Sequence, residues 1–148
     1  MDSGGQWIMA SFVYHSAKEK IADGSILLDS HTFKIMLLDA THTSDQANHG
    51  VKADIVADEI TGSGYTAGGE TIVNTAVSRS GATVKFDGDD VQITGLSPDF
   101  RYAVVYDDDD ASDALVCLLD PGSLQEPGGS TVNLAFNANG IFTLTDAS

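Results

Sequence analysis

The chain has 148 residues, of which 22 are Asp or Glu and 7 are Lys or Arg, giving a formal net charge of −15. A chain of this length fits one domain, and its single cysteine, Cys117, excludes a disulfide within the chain. Binding to a phosphate backbone depends on Lys and Arg, so the charge argues against direct nucleic-acid binding. No apolar run approaches the roughly 18 residues of a membrane span, and Met1–Gly5 lacks a secretory pattern. We therefore expect a soluble chain that is not exported and does not contact a membrane.

The first ten residues predict an arm outside the core, because they are rich in Gly and polar side chains. Trp7 and Ile8 stand in this arm as isolated apolar residues. From about residue 11 to 22, apolar side chains recur near helical spacing, at Phe12, Val13, Ala17 and Ile21. Asp23–Gly24 supplies a stop signal. The pattern predicts one helix that lies across an edge or end of a sheet.

The remaining chain predicts an all-β domain, with residues 11–148 and the helix forming a single unit. The first strands are expected at Ser25–Leu28 and Thr32–Leu38, and apolar residues on both faces of the second indicate a central, covered strand. Further short strands are expected at about 70–78, 81–87, 90–95, 101–107, 114–119, 131–136 and 141–145. Eight or nine strands separated by Gly, Asp, Asn and Ser are typical of an antiparallel β-sandwich or jelly roll.

A polar stretch between Ala40 and Thr61 interrupts this pattern. Long loops in compact domains usually make contacts, so this one is the best candidate for an interaction loop. Its second half, Ala53–Ile60, fits either a helical turn or a short strand. His42 and His49 are seven residues apart without the spacing of zinc ligands, and we interpret them as surface histidines.

No segment predicts catalysis. Asp107–Asp110 is interpreted as a solvated hairpin turn, with adventitious Ca²⁺ binding as the alternative. Gly62–Gly64 lacks the frame of a nucleophile elbow, and Gly64–Gly69 fits a turn with positive φ angles before a strand. Cys117 lies in an apolar run and is expected to be a buried, unreactive thiol. We predict no enzyme activity, no catalytic residues, no cofactor and no metal site.

Three segments carry a resemblance to a known family: Gly64–Gly69 (Gly-Tyr-Thr-Ala-Gly-Gly), Arg101–Val104 (Arg-Tyr-Ala-Val) and Asn139–Phe142 (Asn-Gly-Ile-Phe). In this combination, over about residues 10–145, the chain resembles a widespread family of small structural proteins of tailed bacteriophages and prophages. The chain departs from the family pattern at residues 1–8, which precede the family's usual start at Met9-Ala10, and at Gly95–Phe100.

The resemblance implies a virion protein made in the host cytoplasm, and within that family a capsid cement or decoration protein on the exterior of the shell. Its implied partners are the major capsid protein and neighbouring copies of itself, as a homo-oligomer. Aromatic and Met side chains concentrate binding energy at interfaces, so the predicted interface residues are those in and after the arm: Trp7, Ile8, Met9, Phe12 and Tyr14. The acidic charge suits the outside of a capsid, because a protein packed against DNA would present Lys and Arg.

Two alternatives stay open. The same β domain could form rings as a tail, collar or head–tail joining protein. A carbohydrate- or receptor-binding module is the alternative of another class, because jelly rolls host lectins. The position of Trp7 in the arm, outside any β groove, makes the carbohydrate-binding module less attractive.

Overall fold

The computed structural model describes residues 11–146, and these form a mainly β structure with one α-helix and antiparallel sheets. The predicted fold class is confirmed at this level. The helix α1 spans His15–Asp23, and short 3₁₀ helices span Lys52–Asp54 and Val56–Asp58. The ten strands within the described residues are β1 (Phe12–Val13), β2 (Phe33–Leu38), β3 (Glu70–Ile72), β4 (Ala76–Ser80), β5 (Thr83–Asp87), β6 (Val91–Leu96), β7 (Tyr102–Asp107), β8 (Leu115–Leu119), β9 (Ser130–Leu134) and β10 (Phe142–Leu144).

The largest sheet has five strands in the order β1-β8-β7-β2-β3, and every neighbouring pair is antiparallel. Strand β2 lies between β7 and β3, and five of its six residues are buried. This confirms the prediction of a central strand covered on both faces. Strand β8 is buried along its whole length, including the fully buried Cys117, as its apolar sequence predicts.

The other strands form a three-stranded sheet, β10-β5-β4, and a two-stranded sheet, β6-β9. Phe86 in β5 makes edge contact with Phe33 in β2, with ring centroids 5.1 Å apart. Phe86 also contacts Phe142 in β10 at 5.4 Å. These aromatic contacts join the three-stranded sheet to the core of the five-stranded sheet. The finer description as a sandwich or jelly roll stays a prediction.

Two predicted elements have different boundaries. The helix begins at His15 and not near residue 11, because the backbone N–H groups of Ser11 and Tyr14 donate to carbonyls of β8 and hold Phe12–Val13 as a strand. A short apolar run fits both the helical and the strand periodicity, and pairing with β8 makes Phe12–Val13 a strand. The predicted stop is confirmed: Gly24 follows the helix with φ +84°, the left-handed conformation of a C-terminal cap.

The strand expected at Ser25–Leu28 is wrong, because this segment forms turns in which Ser30 N–H and His31 N–H both donate to the Leu27 carbonyl. The single strand expected at 70–78 is two strands, β3 and β4, which belong to different sheets. Asn74 lies between them with φ +56° and breaks the extended backbone.

Candidate docking surface

A groove of about 660 Å³ lies between α1, β1 and β10, directly after the predicted arm. Most of its lining is apolar, from Phe12, Val13, Ile21, Ala22 and Leu144. Leu144 is 43% exposed, so it leaves a large apolar side chain open to solvent at this edge. The groove therefore presents apolar surface on a chain whose net charge is strongly negative.

Backbone pairing fixes the position of the groove wall. Phe12 and Val13 pair with Leu118 and Cys117 at the edge of the five-stranded sheet. The side-chain amide of Gln46 donates to the Val13 carbonyl at 2.9 Å and ties β1 to the loop between β2 and β3. This wall of the groove is formed by β1, β8 and Gln46 through contacts within the chain, without a contribution from a partner.

The structure separates the predicted interface residues. Trp7, Ile8 and Met9 lie outside the described residues. Phe12 lines the groove, and its role at an interface stays a prediction. Tyr14 is fully buried and contacts Phe12 edge-on at 5.0 Å, so it supports the groove wall from the core and has no surface to offer a partner.

Sequence reasoning missed the residues that complete the groove from elsewhere. Ile21 follows from the helical spacing, but Leu144 comes from the last strand, near the opposite end of the chain. No local pattern in the sequence places β10 beside α1. The apolar pair Phe142 and Leu144 in a short strand is the only signal, and it predicts burial for both, whereas Leu144 stays exposed.

The acidic run Asp107–Asp110, which begins at the last residue of β7, is not simply solvated. Asp107 is fully buried and accepts from His31 Nδ1 at 2.6 Å and from the Asp109 backbone N–H at 2.9 Å. Asp109 accepts from the Thr32 N–H at 2.6 Å. The interpretation as a solvated turn is wrong for Asp107, which ties the turn to the start of β2. Among the described residues, no group of three or more His, Cys, Asp or Glu side chains is arranged to hold a metal ion.

The glycine-rich turn packs its backbone against the sheet. Gly69 has φ +82°, and a Cβ at this position would lie 1.9 Å from the Ile35 carbonyl oxygen. Tyr65 accepts from Leu37 N–H at 3.1 Å and donates to Glu59 at 2.5 Å. Burial and the hydrogen bond to Glu59 raise the pKa of Tyr65. The turn predicted from these glycines is confirmed, and its polar groups are used within the fold.

The stretch between β2 and β3 pairs with the start of β8. Leu115 N–H donates to the Gly50 carbonyl, and Lys52 N–H donates to the Asp113 carbonyl, both at 3.0 Å. Its second half contains the two 3₁₀ helices. Of the two alternatives predicted for Ala53–Ile60, the helical turn is therefore closer to the structure than the short strand. Its role as an interaction loop stays a prediction.

The interpretation of His42 as a surface histidine is wrong. Its side chain is buried, with Nδ1 2.8 Å from Asp58 Oδ2. The His42 and His49 rings lie 5.6 Å apart, and His49 is half-buried.

Most of the basic side chains are used in ion pairs. Lys20, Lys52 and Lys85 each pair with an Asp, and Arg101 donates to Asp120. Desolvation acts against ionisation of Asp120, but the Arg101 and Gly122 donors outweigh it and lower the pKa of that carboxyl. Little positive charge is left to face an anionic partner.

Comparisons with protein-family models, with curated proteins and with solved structures found no match to this chain. Within residues 11–146, no helix has the length and apolar character of a bilayer span.

Proposed function

We propose that this chain is a structural protein of a tailed-phage virion, and specifically a capsid cement or decoration protein that docks on the outer surface of the shell and stabilises it. The family resemblance over about residues 10–145 supports the proposal that the chain is a virion protein. The observation that carries the docking role is the apolar groove between α1, β1 and β10, on a protein of net charge −15.

The groove receives an apolar segment of the major capsid protein. A second copy of this chain is the weaker occupant, because two surfaces of net charge −15 repel each other where they meet. A shell segment with apolar side chains flanked by Lys or Arg matches both the apolar lining of the groove and the net negative charge of the chain. Neighbouring copies contact one another through the arm residues Trp7, Ile8 and Met9.

Docking of this kind stabilises the shell by mass action. A protein that binds only assembled capsid adds its binding free energy to the assembled state and none to free subunits. The chain needs no catalytic group for this role. The exterior suits its charge, because the packaged DNA inside would repel it.

Add-back to particles that lack the chain tests the proposal. Such particles are expected to lose heat resistance, and purified protein should restore it. Particles that withstand heat and internal DNA pressure equally well without the chain would contradict the cement role.

Leu144→Asp tests the groove itself. It should weaken binding to the particles at least about tenfold, because it places a carboxylate in an apolar contact. Val73→Asp is the matched control, since Val73 is 53% exposed and lies outside the groove. Equal binding by both variants would remove the groove from the interface.

The same particles separate the alternatives. Labelled protein bound at the neck or tail would favour the tail, collar or head–tail joining role. Failure to bind particles together with a specific hit on a glycan array would favour the carbohydrate- or receptor-binding module.

A further inference from the structure

Two histidine side chains present buried ring nitrogens without partners in the described structure. Nε2 of His42 and Nδ1 of His49 are both inaccessible to solvent and accept or donate no hydrogen bond within residues 11–146. The two rings are neighbours, with centroids 5.6 Å apart and planes inclined at 36°. Buried polar atoms are rarely left unpaired in folded proteins, so two on adjacent rings indicate a shared ligand between them.

The protonation of His42 is set by Asp58. A carboxylate only accepts, so the 2.8 Å contact places the proton of the neutral ring on Nδ1 and leaves a lone pair on Nε2. This is the arrangement of a histidine that binds a metal, in which a carboxylate holds the ring nitrogen facing away from the ion. Edge contact with the Tyr102 ring at 5.7 Å further fixes the orientation of His42.

The ring separation fits one shared ion. With metal–nitrogen distances of about 2.0–2.1 Å, two imidazoles on one tetrahedral ion have centres about 5–6 Å apart. The local charge is favourable, because Asp45 and Asp54 interact electrostatically with His49 while Asp58 faces His42. Imidazole nitrogens select Zn²⁺, Ni²⁺ or Cu²⁺ over Mg²⁺ or Ca²⁺, which prefer oxygen.

We propose that His42 Nε2 and His49 Nδ1 bind one divalent transition-metal ion, with Asp58 as the positioning residue for His42. The site lies in the loop between β2 and β3, and it does not depend on the proposed virion role.

Nitrogen-detected NMR during titration with Zn²⁺ tests the site on the full chain. The expected result is a selective shift of His42 Nε2 and His49 Nδ1, with His15 and His31 unchanged. Mg²⁺ at the same concentration should shift neither nitrogen. If Zn²⁺ leaves both nitrogens unmoved, the proposal is overturned.

Variants supply an independent measurement by calorimetry. His49→Gln should abolish Zn²⁺ binding at this site, and Asp58→Asn should weaken it about 10–100-fold, as expected for the loss of a supporting carboxylate. His15→Gln is the control, because His15 is exposed and should leave binding unchanged. Unchanged affinity in His49→Gln would contradict the proposal, and if that variant fails to fold, unchanged affinity in Asp58→Asn would do so.

Discussion

The close approach of Gly69 to β2 provides a test in which one methyl group has a large effect. In Gly69→Ala the new Cβ would lie 1.9 Å from the Ile35 carbonyl oxygen and 2.8 Å from Met36 Cα. These are backbone atoms of the central strand, so neither a rotamer change nor a flexible side chain can relieve the overlap. The turn has to separate from the sheet, and the hydrogen bonds of Tyr65 lie in the same turn.

Gly24→Ala is the matched control. Gly24 has φ +84°, against +82° for Gly69, but an added Cβ at Gly24 has nothing within 4 Å. Both variants place Ala in the left-handed region, at a cost of about 1–2 kcal/mol that is partly offset by reduced freedom of the unfolded chain. We expect Gly24→Ala to lose about 1 kcal/mol of unfolding free energy. Gly69→Ala should lose about 4 kcal/mol or more, a large fraction of the stability of a typical domain.

Urea unfolding, followed by fluorescence and circular dichroism, measures the difference. With a slope of about 2 kcal/mol per molar urea, the midpoint should fall by about 0.5 M for Gly24→Ala and by about 2 M for Gly69→Ala. If the two variants lose the same stability, the left-handed backbone conformation alone accounts for the cost of replacing Gly69. The inferred packing of the turn on β2 is then wrong.

Three further predictions concern charge and the thiol. Burial raises the pKa of Cys117, so a thiol reagent at pH 8 should modify it only as fast as the protein unfolds, and rapid modification of native protein would contradict its burial. Backbone donors at Gly50 and Val51 lower the pKa of Asp54 in the folded state. The contribution of Asp54 to the free energy of unfolding is therefore fully present above its unfolded-state pKa, and it is lost as the pH falls through its folded-state pKa. Asp54→Asn should therefore reduce the loss of stability between about pH 5 and pH 2, by less than about 1 kcal/mol because the group is exposed; an unaltered pH profile would count against the contact. The net charge of −15 predicts a melting temperature that rises from low to molar salt, as for a protein from a saline source, and a flat response would argue against self-repulsion.

The sequence predicts much of the β architecture, because strand periodicity is local. The apolar runs of β2, β7 and β8 identify the buried strands, and Asp23–Gly24 identifies the end of α1. Errors arise where pairing with a distant segment overrides local preference. Phe12–Val13 fits a helix until β8 offers backbone partners.

The sites were harder to predict, because each is made by contacts between distant segments. The groove needs β10 beside α1, and the sequence contains no local signal for that contact. His42 is buried through its contacts with Asp58 and Tyr102. The polar sequence of its loop alone predicts an exposed side chain, which is wrong. Asp107 appears solvated within a run of four aspartates until His31 is placed against it.

Copy number in purified particles tests the central claim most directly. A cement protein should be present in a number that scales with the subunits of the shell, and its label should cover the capsid exterior. A copy number equal to that of a single ring at the neck or tail, or no copies in the particle, would contradict the account.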